Sequence, residues 1–191
     1  MDADFSIELG REDPVLDFPW TDASGKVAYF NLKQEPALLA RMPETALFPE
    51  LAGFLKAVNA PLSLLESAKC DAWPTNELSP EEEVFHASHK FVSYVDLVFS
   101  DVDQRMSFAF HEHFAKRLIE LLRRTPETPS AAEVCVRRCY FGEEKKTREG
   151  FYCTVYVSGY GADEAQARLS WGISLRLVAN AVLQLSAAGL V

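Results

Sequence analysis

The sequence predicts an α+β fold in which helices pack on one face of an antiparallel sheet. Three observations lead there. Runs of β-branched and aromatic residues mark strands at 91–99, 133–141 and 151–157; apolar residues at helical spacing mark helices at 48–58, 105–124 and 164–186; strand pairs alternate with single helices along the chain.

Residues 1–45 read as an irregular N-terminal arm or short hairpin packed on a single domain at 46–191. Pro14, Pro19, Pro36 and Pro43 punctuate short apolar pieces, and Asp22-Ala23-Ser24-Gly25 is a turn signal between Val15–Phe18 and Val27–Phe30. Pro49 suits a first helical turn, and Leu51, Phe54, Leu55 and Val58 recur at helical spacing until Pro61. Residues 62–73 have strand character, and Ser79-Pro80-Glu81-Glu82 looks like a local helix start.

Phe91–Phe99 is the clearest strand, with Phe91, Val95, Leu97 and Phe99 on one face. Over 105–124 the period changes: Phe110, Phe114, Leu118, Ile119, Leu121 and Leu122 form an apolar stripe closed by Arg123-Arg124, where cations suit a helix C-terminus. Two strands at 133–141 and 151–157 follow, separated by a charged loop at Gly142–Gly150. Gly159-Tyr160-Gly161 is expected to break the second, and Asp163 to cap the last helix.

From residue 26 the order is β-α-β-β-α-β-β-α. Its middle matches ferredoxin-like βαββαβ connectivity, extended by one strand and a long C-terminal helix. A duplication is the second reading, because Phe91–Leu122 and Phe151–Leu185 each run strand, acidic turn, long helix.

Composition narrows function mainly by exclusion. The chain of 191 residues carries a formal charge of −9, and residues 1–80 alone hold 13 acids against 6 bases. Such a field opposes nucleic acid and anionic membrane as main partners. The acidic start Met1–Glu8 is unlike a secretory signal, and Arg176, Asn180 and Gln184 interrupt the apolar stretch at 171–191, so a cytoplasmic protein with reduced cysteines is expected.

No chemical motif stands out, and neither metal nor cofactor is expected. His111 and His113 lie about 200° apart on a helix and cannot close on one ion; His86 and His89 lack a placed third ligand. Cys135 and Cys139 are about 13 Å apart on a strand, too far for a disulfide. A hairpin folded about residue 146 would place Cys139 opposite Cys153. Gly159-Tyr160-Gly161 lacks the remaining residues of a phosphate loop. Arg137 and Arg138 must face opposite ways, and the inward one needs a carboxylate, with Glu133 or a helix acid as the expected partner, or a bound anion. The charges of Lys145, Lys146 and Arg148 are cancelled by neighbouring glutamates.

Strand parity supplies the candidate site. If Phe91, Val95, Leu97 and Phe99 face the helices, Lys90, Val92, Tyr94, Asp96 and Val98 face away, as do Tyr152, Thr154 and Tyr156. Such an aromatic, charge-poor face is covered by the chain's own arm, by a second copy in a homodimer, or by a small-molecule ligand. The expected function is a non-enzymatic binding or self-association module, with Tyr94, Arg138, Tyr140, Tyr152 and Tyr156 as the candidate ligand or interface residues. The alternative is a cofactor-independent enzyme with a pocket between sheet and helices, using Arg138, Tyr140 and a histidine such as His111. Single-stranded RNA binding is disfavoured by the acidic field and the lack of an RNP pattern.

Overall fold

The computed structural model describes residues 1–25, 28–143 and 146–189. Among these residues six strands form one mixed sheet: β1 (Asp2–Glu8), β2 (Val15–Phe18), β3 (Leu65–Thr75), β4 (His89–Phe99), β5 (Ser130–Glu143) and β6 (Lys146–Gly161). The strand order is β1-β5-β6-β4-β3, with β2 beside β5 as well. The pairs β3/β4, β4/β6 and β5/β6 are antiparallel, whereas β1 and β2 run parallel to β5. The expectation of an antiparallel sheet is corrected at that edge. Residues 9–14 interrupt what is otherwise one register, since Glu8 pairs with Arg137 and Val15 with Arg138.

Among the described residues five α-helices accompany the sheet: α1 (Pro43–Leu47), α2 (Pro49–Val58), α3 (Val102–Arg105), α4 (Phe108–Leu122) and α5 (Glu164–Ala188). The helix expected at 105–124 is two pieces, because Ser107 starts a new one: its side chain accepts from the Phe110 amide at 3.2 Å. Asp163 caps α5 as expected, accepting from the Gln166 amide at 2.8 Å. Residues 79–85 form a capped 3-10 turn that ends before β4. The core follows from matched periods. Trp171, Leu175, Val178, Val182 and Leu185 recur at intervals of four and three along α5, so one buried stripe meets Phe91, Val95, Val155 and Val157 of the central strands, with the α4 stripe beside it. The Trp171 indole N–H, buried with the stripe, donates to Ser93 Oγ at 2.8 Å.

The hairpin β5–β6 is longer than its composition suggests. Its ladder runs out to Gly142–Thr147 and Glu143–Lys146, so the loop expected at Gly142–Gly150 is mostly strand; Glu144 and Lys145 lie outside the described residues. This register places Cys153 opposite Val136 and Cys139 opposite Gly150, three positions from the pairing expected. An odd shift changes faces, so the two thiols lie on opposite sides of the sheet.

Gly159 and Gly161 do not break β6. A Cβ on Gly159 would stand 2.1 Å from the Trp171 nitrogen and 2.4 Å from the Ala167 carbonyl oxygen, so the glycine lets α5 approach the strand.

Residues 1–45 supply β1 and β2 and then cross the sheet. The expected hairpin after β2 reduces to one bridge, Thr21–Ala28, with the Tyr29 amide donating to the Trp20 carbonyl at 2.9 Å; Val27 lies outside the described residues. No strand forms at 28–30. What remains is two successive hairpin–helix units, β3–β4–α4 and β5–β6–α5, with β4 beside β6 at the centre.

Candidate functional site

The sheet face opposite α2, α4 and α5 is where parity put the tyrosines. In register, Tyr94 faces Tyr156 and Asp96 faces Thr154 across β4/β6, while Arg137 faces Tyr152 and Cys135 faces Thr154 across β5/β6. Val155 and Val157, at the intervening positions, lie in the helix-side core, so Tyr94, Tyr152 and Tyr156 share the helix-free side.

Three environments divide this face. At one end the 79–85 turn covers it: Phe85 stacks on Tyr160 with ring centroids 4.1 Å apart, and Glu82 accepts from the Tyr160 hydroxyl and from Lys90. At the other end the N-terminal arm covers it: Leu16 and Phe18 pack with Val98, Cys139, Phe141 and Tyr152, and Trp20, Tyr29 and Met106 close the cluster. Tyr152 is only 3% exposed and belongs to this second core, not to an open surface. Between the two covers lies a strip in which Trp73 (39% exposed) packs on Tyr94, and Tyr94 on Tyr156, with centroids 6.4 and 6.3 Å apart.

A polar chain fixes the floor of this strip. Glu8 accepts from Arg137 Nε at 2.8 Å and pairs with Nη2 at 2.7 Å. Arg137 Nη1 donates at 2.9 Å to both Thr154 Oγ1 and Tyr156 Oη. Thr154 Oγ1 in turn donates to Asp96 Oδ1 at 2.7 Å. The buried arginine therefore takes its carboxylate from β1 and not from Glu133, which instead accepts from Ser6 Oγ at 2.8 Å. Burial pushes the Asp96 carboxyl up to about 6, against the Thr154 hydrogen bond and the attraction of Lys69 and Arg137. Tyr94 is pushed up to about 12 by burial and the nearby carboxylates. Lys69 lies 4.8 Å from the centre of the Trp20 ring, at the seam between arm and strip.

The other expected residues lie elsewhere. Arg138 faces Phe151, whose ring packs on Phe108 and His111 of α4, so Arg138 and Tyr140 have helix-side parity and do not join the tyrosines. Arg138 Nη2 donates to the Gly10 carbonyl in the 9–14 interruption. His111 is fully buried, with Nδ1 2.8 Å from the Ser107 carbonyl oxygen and its ring edge-on to Phe99; burial pushes it down to about 4, which keeps it neutral. Among the described residues no three of His, Cys, Asp or Glu converge as metal ligands, and no helix is long and apolar enough to cross a membrane.

Parity alone identified Asp96 and Thr154 as outward, but Glu8 could not be found that way. Its role depends on a parallel pairing across 129 residues, which leaves no local sequence signal. Compared with known proteins, the chain matches no family model, no curated protein and no solved structure.

Proposed function

We propose that this protein is a non-enzymatic binding module that self-associates as a homodimer through the Trp73–Tyr94–Tyr156 strip. The observation that carries the reading is the strip's construction: large rings that remain partly open, held by a buried polar chain that fixes the Tyr156 hydroxyl. Tyrosine and tryptophan over a desolvated polar floor are enriched at the centres of protein interfaces, and they lose little rotamer freedom on docking. Twofold symmetry suits this surface, because Lys69 and Asp71 are neighbours on the same face of β3 and a twofold axis between them sets each opposite the other's unlike charge. A small ligand on the strip is the lesser reading, since neighbouring rings make a shelf and not an enclosure. Nothing favours the catalytic alternative through Arg138, Tyr140 and His111, because His111 is sealed in the helix-side core.

The same reading takes the core as an antiparallel ββαββα unit, β3–β4–α4–β5–β6–α5. Its strand order β5-β6-β4-β3 is that of a ferredoxin-like sheet with the connectivity circularly permuted, and β1 and β2 are added at the β5 edge. Four free cysteines, three of them buried, suit a cytoplasmic protein.

Light scattering after size exclusion tests the interface. The wild type is expected at twice the chain mass, and Tyr94→Glu with Tyr156→Glu at the chain mass with an unchanged far-UV spectrum. A wild-type monomer, or a double variant that stays dimeric, contradicts the proposal.

A further inference from the structure

A groove opens on the outer flank of α2, on the helix side of the sheet and away from the aromatic strip. Its volume is about 770 Å3, and it runs between α2 on one side and the 3-10 turn Pro36–Arg41 with α1 on the other. We propose that it binds a single-chain aliphatic carboxylate, with the chain lying along the groove and the carboxylate at Lys56.

The groove follows from how side chains are distributed around α2. Leu51, Phe54, Leu55 and Val58 turn into the core. Ala52, Lys56, Asn59 and Ala60, about one helical turn apart, look across to Pro36, Ala37 and Ala40 of the 3-10 turn and to Thr45 and Ala46 of α1. Five alanines on these walls are too short to fill the space between them, and the buried Leu32 and Leu55 close its floor.

The lining selects an apolar body. Its uncharged polar side chains are already engaged within the protein. Thr45 Oγ1 donates to the carbonyl oxygens of Leu39 and Met42 at 2.7 and 2.8 Å. Asn59 Nδ2 donates to the Leu55 carbonyl oxygen and to Ser67 Oγ, both at 2.8 Å, while its Oδ1 accepts from the Ser67 amide at 3.0 Å. A ligand that needs hydrogen bonds along its length is therefore poorly served, whereas a hydrocarbon chain is not. Apolar surface also continues past both rims: Leu47, 65% exposed, follows Ala46, and Leu62, 90% exposed, follows Pro61, and these are the two most exposed large apolar side chains among the described residues. The volume lies in the upper part of the roughly 300–1,000 Å3 range of small-molecule sites.

Charge sets the head group. Lys56 is the one charged residue of the lining, is exposed, and makes no ion pair among the described residues. One helical turn from both Ala52 and Ala60, its hydrocarbon stem lies along the apolar wall and carries the ammonium toward solvent. A carboxylate at the end of the chain meets the ammonium there without being buried, so the chain supplies the affinity and the charge pair escapes the cost of desolvation.

The probe is decanoate, held below the concentration at which it forms micelles, with octanoate and decanol as comparisons, followed by calorimetry and by amide NMR shifts of the full chain. Decanoate is expected to saturate one site, shifting Ala37, Ala52, Lys56 and Ala60 and leaving Tyr94 and Tyr156 in place, and to bind about fourfold tighter for each methylene it has beyond octanoate. Lys56→Gln is expected to weaken decanoate about two- to fivefold and to leave decanol unchanged. Ala52→Leu narrows the groove and is expected to weaken both by at least about tenfold. Should Ala52→Leu fail to fold, Ala40→Leu at the exposed rim narrows the same groove and takes its place. Absence of saturation, affinity independent of chain length, binding unchanged in the folded groove-filling variant, or decanoate and decanol affected alike by Lys56→Gln overturns the proposal. The groove shares no residue with the Trp73–Tyr94–Tyr156 strip, so this site and the dimer interface stand or fall separately.

Discussion

Replacing Asp96 by Asn should stabilise the protein at pH 8 and leave it nearly unchanged at pH 4. Asp96 is 7% exposed, and its carboxyl is raised from 3.8 to about 6 by burial, which outweighs the Thr154 hydrogen bond and the pull of Lys69 and Arg137. A carboxyl raised in the folded state binds its proton more tightly there than in the unfolded chain. Folding is therefore favoured by protonation, and this residue's contribution declines as pH climbs from about 4 to about 6 and is flat above. Two pKa units correspond to about 3 kcal/mol. Asn keeps an oxygen able to accept from Thr154 Oγ1 and removes the charge, so up to about that amount is recovered at pH 8, or roughly 6–12 °C in Tm for a domain of this size. Urea unfolding of both proteins at pH 4 and pH 8 measures the difference between the two stability gaps. A variant less stable than wild type at pH 8, or a gap that does not widen between the two pH values, refutes the reasoning. It would mean that Lys69 and Arg137 outweigh burial.

Two further outcomes separate what is covered on the helix-free face from what is open, and test the helix–strand contact. Tyr152→Ala should cost about 3–5 kcal/mol because it empties the core under the arm, whereas Tyr94→Ala should cost about 1 kcal/mol or less, both read from denaturant midpoints. Gly159→Ala should lower the melting temperature by several degrees, since its Cβ would fall 2.1 Å from the Trp171 backbone and α5 must move away; a melting temperature equal to wild type would remove the account given for that glycine.

Much of this architecture was readable from local pattern, and the remainder depended on partners far away in the chain. Phe91–Phe99 alternates cleanly, so its two faces were assigned correctly, and the assignment extended to Tyr152, Thr154 and Tyr156 because β4 and β6 pair residue for residue. Asp163 and the stripe on α5 are equally local signals. Arg138 and Tyr140 went astray because their strand's tie to the tyrosine face was assumed: in register with Phe151, Arg138 belongs to the helix side. The shift in the β5–β6 hairpin had the same origin, since Arg148 and Glu149 look like loop yet pair in a two-stranded ladder with Phe141 and Tyr140. Val15–Phe18 stood out as a short strand, but β1 and the pairing of both strands with β5 were hidden because parallel partners more than a hundred residues apart leave no turn signal, and Glu8, which satisfies Arg137, was hidden with them. Gly159 and Gly161 were visible, but glycine marks both a chain break and a close approach, and only the position of α5 distinguishes the two.

Isotope-filtered NOE spectroscopy on a mixture of labelled and unlabelled chains addresses the open strip directly. Self-association through the helix-free face predicts intermolecular contacts from the rings of Trp73, Tyr94 and Tyr156, and none from Tyr152 or from the exposed side of α4. Intermolecular contacts confined to another surface, or their absence at concentrations where the chain elutes as a dimer, would contradict the account.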